Sequence, residues 1–301
     1  MTSDRPRTTA VGPLLVLAGA VLWGTTGTAQ ALGGGAVAGE MAPSAVGAAR
    51  IAVGGAGLLV MAAASGALPS AAVLRAPSNG FALAAGATAI AGYQVTFFAG
   101  VARAGVALGT VVAIGSAPAF TGLVSWAVRR ERPERGWTLA TLLAVAGSAL
   151  LLLPHGGVRV DGGGVALSLL AGLCFAVGTV SMKTLIDARM HPGAVVAMVF
   201  ASGAVLLAPV LLAGDLGWLV TIPGVLTALY LGLVATTVAY MLFSRGLQAV
   251  RSSSAATLAL AEPLTAALLG LILLAERPGP FGWVGGTMVL AGLVVLSARP
   301  R

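Results

Sequence analysis

The sequence predicts an all-α integral membrane protein of ten transmembrane helices, arranged as two inverted five-helix repeats. Three observations carry that expectation. The chain of 301 residues is 58% hydrophobic and 9% charged, with a mean hydropathy of +0.99, far too apolar for a soluble domain. Its apolar runs, each long enough for a hydrocarbon core of roughly 30 Å, show no period-two alternation, which favours helices over a closed barrel. One pattern also occurs twice at a constant offset of 145 residues. Ser116-Ala117-Pro118, Glu131-Arg132-Pro133 and Gly147 return as Ala261-Glu262-Pro263, Glu276-Arg277-Pro278 and Gly292. Each copy holds five spans, an odd number, so the second enters the membrane upside down relative to the first. The repeats divide the chain into residues 1–155 and 156–301.

The first run, near residues 11–32, follows Arg5 and Arg7 and contains Ala29-Gln30-Ala31, an imitation of a secretory signal with its cleavage site. Leu22 and Gly27-Thr28 recur as Leu173 and Gly178-Thr179, however, so this run belongs to the repeat, with Trp23 internal. The second run, 43–65, carries Arg50 roughly 10 Å from its boundary at a rise of about 1.5 Å per residue. A cation that deep needs water, a carbonyl or an acid, and serves either to tie helices together or to bind a substrate carboxylate. The third run, 80–99, carries Tyr93 and Gln94. In the fourth, 106–128, stand Ser116 and Pro118, and a polar insertion, residues 129–135, leads into the fifth run, 136–153.

A glycine-rich linker, residues 155–164, joins the halves; the sixth and seventh runs follow at 163–184 and 192–213. The eighth, 221–243, holds Tyr230, Thr237 and Tyr240, and Tyr240 stands near the position equivalent to Tyr93. In the ninth run, 253–275, Glu262 lies roughly 15 Å from the helix start, close to the bilayer midplane. So deep a carboxylate is either a proton-exchanging or amine-binding group in a central cavity, or a structural partner inside the bundle. Pro118 and Pro263 each remove a backbone hydrogen bond, which predicts bending of the fourth and ninth helices around a pathway, with a plain packing kink as the alternative. The tenth run, 281–298, offers Gly282-x-x-x-Gly286 as a close-packing seam.

The net charge of +8 is explained by topology. With the N-terminus inside, the cytoplasmic side collects Arg5, Arg7, Arg75, Arg129, Arg130, Arg132, Arg135, Lys183, Arg189, Arg245, Arg251, Arg299 and Arg301. Only Arg103, Arg159 and Arg277 fall outside, so both termini are expected in the cytoplasm. Trp126, Trp137, Trp218 and Trp283 lie near span ends and read as interface residues. Cys174 is the one cysteine and excludes an internal disulfide. Both histidines, His155 and His191, fall in loops, and neither a zinc-protease motif, a paired intramembrane aspartate nor a Walker A sequence is present. The expectation is therefore no enzyme, no metal, no cofactor and no nucleic-acid partner. Membrane lipid and a small-molecule substrate are the partners, and a homodimer through the fifth or tenth helix is left open.

These residues resemble the EamA family of ten-helix proteins in the drug/metabolite transporter superfamily. The resemblance rests on Leu22-Trp23-Gly24, Arg50, Pro118 with Glu131-Arg132-Pro133 and Gly147, then Glu262-Pro263, Ala275-Glu276-Arg277-Pro278 and Gly292, and spans nearly the whole chain. It implies a bacterial inner-membrane secondary transporter, commonly exporting amino acids, related metabolites or toxic compounds by alternating access. It also implies structural or gating roles for Glu131 and Glu276. Members related to small multidrug pumps use a carboxylate in the first helix, and none stands there in this chain, so Glu262 takes that role if proton coupling exists. The substrate or proton pathway is thus expected at Glu262, Trp23, Tyr93, Gln94, Tyr240, Arg50 and Ser116. Efflux of cationic drugs and a non-transporting membrane scaffold are the alternatives.

Overall fold

A computed structural model of the protein describes residues 8–34, 42–70, 76–134, 136–152, 161–273 and 279–297. Every apolar run becomes a helix: α1 Val11–Gly33, α2 Pro43–Ala64, α3 Pro77–Ala104, α4 Val106–Arg129, α5 Trp137–Leu152, α6 Gly162–Asp187, α7 Pro192–Ala213, α8 Ile222–Leu247, α9 Ser252–Leu273 and α10 Pro280–Ser297. All but α5 are long and apolar enough to cross a membrane, and α5 is a shorter apolar helix of 16 residues. Among the described residues there is no strand. Arg5, Arg7, Arg75, Arg135, His155, Arg159, Arg299, Arg301 and the second Glu276-Arg277-Pro278 triplet lie outside the described residues.

Local chemistry sets several helix ends. Proline opens α2, α3 and α7, where its missing N–H costs nothing. Asp161 caps α6 by accepting from the Gly164 N–H at 2.7 Å. That contact, with the Arg103 charge beside it, holds the Asp161 carboxyl below its ordinary value. Between α3 and α4 a single residue reverses the chain, and it is Gly105 at φ 85°, a conformation that other residues adopt only under strain.

The helix contacts obey a twofold pattern. α3 packs on α6 as α8 packs on α1, and α4 packs on α6 as α9 packs on α1; α2 pairs with α7 and α5 with α10. At residue level the pattern is sharper. A Cβ at Gly147 would lie 2.5 Å from the Gly285 carbonyl oxygen, and one at Gly292 would lie 2.6 Å from that of Ala140. Position 285 is 140 shifted by the repeat offset, and 292 is 147 shifted likewise, so the two contacts are images of each other in an isologous arrangement. Numbering rises along α5 as it falls along the contacting part of α10, as an inverted repeat requires.

The α5–α10 seam therefore uses Gly147, Gly285 and Gly292, and Gly286 of the expected motif has only ordinary contacts, with Leu264 and Leu151 at 3.7 and 3.9 Å. Gly285→Ala is expected to destabilise the protein by about 1–3 kcal/mol through overpacking against backbone, and Gly286→Ala to be near neutral. Thermal unfolding of the two variants in the same detergent checks the difference.

Among the described residues, regular helix gives way at three places, in α1, α8 and α9. α1 is interrupted at Thr25, between Thr8–Gly24 and Thr26–Gly34. Residues Tyr230–Val238 of α8 wind as a π-helix. α9 breaks between Ser252–Leu258 and Ala261–Leu273, just ahead of Pro263, and the Ala259 carbonyl that Pro263 leaves free accepts the Glu262 N–H at 2.9 Å. Pro118, its repeat equivalent, leaves α4 continuous. Of the two prolines, Pro263 follows an interruption of its helix, whereas the helix runs through Pro118 without one. Trp218 also departs from expectation: it is buried at 4% exposure under α2 and α8 residues, whereas Trp126 and Trp283 are exposed at the flanks.

Candidate functional site

Between the halves lies a cavity of about 70 Å³, room for a few water molecules. Six of the seven expected pathway residues line it: Trp23, Arg50, Tyr93, Gln94, Tyr240 and Glu262. Ser116 does not, since it turns its hydroxyl to the Ala113 carbonyl at 3.2 Å and sits against Gly172 of α6. Six helices, α1, α3, α4, α6, α8 and α9, contribute, joined by α2 through Arg50 and Ile51 and by α7 through Phe200. Ile114 and Ala259, the residues whose carbonyls lose a helical donor to Pro118 and Pro263, are repeat equivalents and both line the cavity.

The walls are aromatic. Trp23 contacts Tyr240 at 4.7 Å between ring centroids, Phe243 at 5.1 Å and the edge of Phe175 at 6.4 Å. Tyr240 in turn lies 4.2 Å from Phe200, and Tyr93 stacks on Phe97 at 5.4 Å. Phe175 and Phe200 were missed by sequence reasoning, because one more phenylalanine in an apolar span carries no signal of facing a cavity. The Trp23 indole N–H is buried without a described acceptor.

Two opposite charges face this aromatic chamber. Arg50 comes from the first half and Glu262 from the second, and the position equivalent to Glu262 at the repeat offset is Ala117. Among the described residues they form no ion pair with each other or with any other side chain. The Arg50 guanidinium donates from Nε to the Thr236 hydroxyl at 2.9 Å, and the Glu262 N–H is held by the broken backbone of α9. Tyr230 and Thr237 of the same helix as Tyr240 do not line the cavity and hold neighbouring helices instead. Tyr230 donates to the Thr25 hydroxyl at 2.9 Å where α1 is interrupted, and Thr237 donates to the Gly54 carbonyl at 3.0 Å.

The two ends of the bundle differ. At the end where α4, α6 and α8 finish, Arg129 donates to Glu131 Oε1 from Nη2 at 2.7 Å and to the Thr184 hydroxyl at 3.1 Å, and pairs with Asp187. Lys183 meets Asp187 at 3.1 Å and donates to the Leu247 carbonyl at 2.9 Å, capping the end of α8. Partial burial alone would raise the Glu131 carboxyl, but the hydrogen bonds and charge of Arg129 outweigh it and hold the group below its ordinary value. This network ties α4 of the first half to α6 and α8 of the second. At the opposite end, a second cavity of about 360 Å³ opens between α2, α3 and α7, and Gln94 lines both it and the central chamber.

Comparison with known proteins agrees with this architecture. The model of the EamA-like transporter family matches residues 10–153 and again 162–298. The chain is 43% identical over 290 residues to the uncharacterized transporter YwfM of Bacillus subtilis (strain 168), covering 96% of this chain and 94% of that one. It is 26% identical over 213 residues to the uncharacterized inner membrane transporter YicL of Salmonella typhimurium (strain LT2), with 69% of each chain covered. A crystal structure of another protein superposes with a TM-score of 0.79 at 21% identity, over 94% of this chain and 95% of that one, which shows the fold.

Proposed function

Because the chain belongs to the EamA-like transporter family and is a multi-pass membrane transporter, we propose that it exports amino acids or related small metabolites by alternating access of its two halves, residues 1–155 and 156–301. One observation carries this reading: a cation from one half and a carboxylate from the other face a single aromatic chamber without pairing. Unpaired buried charges are costly, and a zwitterion answers both, its carboxylate at Arg50 and its ammonium at Glu262. The side chain of the substrate lies against Trp23, Phe175 and Tyr240. Phosphorylated substrates would call for more cations than the chamber has.

The substrate bridges the two halves at the chamber, so loading favours closure around it. When the substrate leaves, Glu262 regains a positive partner by taking a proton, which couples export to proton entry without a cofactor. The carrier sits in a bacterial inner membrane with both termini cytoplasmic. The Arg129 end is then the cytoplasmic one, and the cavity beside Gln94 lies towards the outside.

Counterflow in proteoliposomes with a pool of labelled amino acids, run beside a cationic dye, tests the reading. The wild type is expected to exchange at least one amino acid, and Arg50→Gln to weaken that exchange by on the order of a hundredfold. Dye movement without amino-acid exchange would instead favour efflux of cationic amphiphiles, with Glu262 as their counter-charge in an aromatic chamber. Silence of a folded protein with every probe would favour a scaffold.

A further inference from the structure

We propose that Thr236 is a positioning residue that aims Arg50 into the central chamber, and that the π-wound turn of α8 delivers it there. The proposal rests on the amino-acid carrier reading and adds a residue and a device to it.

The threonines of this chain supply an internal comparison. Thr96, Thr121, Thr184, Thr227, Thr257 and Thr265 all return their hydroxyls to the carbonyl four residues earlier, the ordinary habit of a threonine in an α-helix. Thr236 and Thr237 reach back five residues, to Leu231 at 2.8 Å and Gly232 at 3.1 Å. Both lie in Tyr230–Val238, where the wider π turn changes which carbonyl lies within reach and which way the side chain leaves the helix. The seam with α2 is built around that change. A Cβ at Gly54 would strike Thr236, and Thr237 donates to the Gly54 carbonyl at 3.0 Å, one turn beyond Arg50.

Donor bookkeeping then fixes the role. The one hydrogen of the Thr236 hydroxyl goes to Leu231, so its oxygen can only accept from Arg50, and it takes the Nε–H at 2.9 Å. Among the described residues no other hydrogen bond of the Arg50 guanidinium is present. With Nε engaged, the Nη pair remains as the fork that grips a carboxylate through two parallel bonds. Thr236 is fully buried, so the acceptor it offers is fixed in place by the α2–α8 seam. A guanidinium released from Thr236 would still be charged but no longer held at one angle, and a bidentate contact depends on that angle.

The test uses the purified full chain in proteoliposomes, with the labelled amino acid that exchanges fastest and its α-carboxamide as probes. Thr236→Val keeps the shape and removes the acceptor; Thr236→Ala does so where Val fails to fold; Thr236→Ser restores the hydroxyl. The half-saturating concentration of the amino acid is expected to rise about tenfold in Thr236→Val at little-changed maximal rate, to return towards wild type in Thr236→Ser, and to be unmoved for the carboxamide. A merely structural role would lower thermal stability or maximal rate and move both probes together, which would overturn the proposal. Should Arg50→Gln bind the amino acid normally, or the wild type exchange none, the carrier reading falls and this inference with it. Should Arg50→Gln be impaired while Thr236→Val is not, only the inference falls.

Discussion

Glu262→Gln is expected to abolish amino-acid export driven by a pH gradient and to weaken counterflow by on the order of a hundredfold. The glutamine keeps the shape of the side chain, so the packing of Gly24 against the Glu262 turn of α9 survives and the folded protein can be assayed. What is lost is the one negative charge that faces the chamber. An amide offers an ammonium group a single neutral acceptor and cannot exchange a proton at all. Counterflow at wild-type affinity with pH-driven flux lost would assign Glu262 to protons alone. Wild-type behaviour in both assays would remove it from the pathway.

Arg129→Gln is expected to loosen the end that Arg129 ties together, and the chain carries its own reporter. Cys174, its one cysteine, lines the central cavity. Arg129 links Glu131, Thr184 and Asp187 at once, so its loss removes the polar tie between the ends of α4 and α6 in one step. Labelling of Cys174 by a membrane-impermeant maleimide from the side of the termini should accelerate about tenfold, while labelling from the Gln94 side slows. Unchanged rates on both sides would show that the network is not the barrier.

The fold was legible because its signals are cumulative. Long apolar runs and a repeated Pro, Glu-Arg-Pro and Gly pattern constrain many residues at once, whereas the antiparallel meeting of Gly147 with Gly285 emerged only in the structure. Rare residues were legible too: a charge such as Arg50 or Glu262, or a tyrosine in a chain with 5% aromatics, is conspicuous against alanine and leucine. Ser116 failed because a hydroxyl in a helix satisfies itself on its own backbone, and sequence does not record that choice. Phe175 and Phe200 were hidden by being ordinary. The π turn had no signature, since it depends on how α8 fits α2 rather than on which residues it contains. Arg129, counted for topology, gained its structural meaning only when Thr184 and Asp187 were brought beside it.

The self-matching contacts of α5 with α10 have a geometric corollary. In a cycle where each half adopts the shape its counterpart has just left, the two ends of the bundle trade places under the pseudo-twofold operation. Most contacts are carried by that operation onto different ones, as α3 on α6 is carried onto α8 on α1. The pairs Gly147 with Gly285 and Ala140 with Gly292 are carried onto each other. With the α2–α7 pairing, which is likewise carried onto itself, they belong to the stationary set of the transformation, free to remain unchanged while the contacts of the other helices are exchanged. A pivot needs that property, and glycine against backbone, with no side chain to repack, is a form in which a membrane bundle can build one.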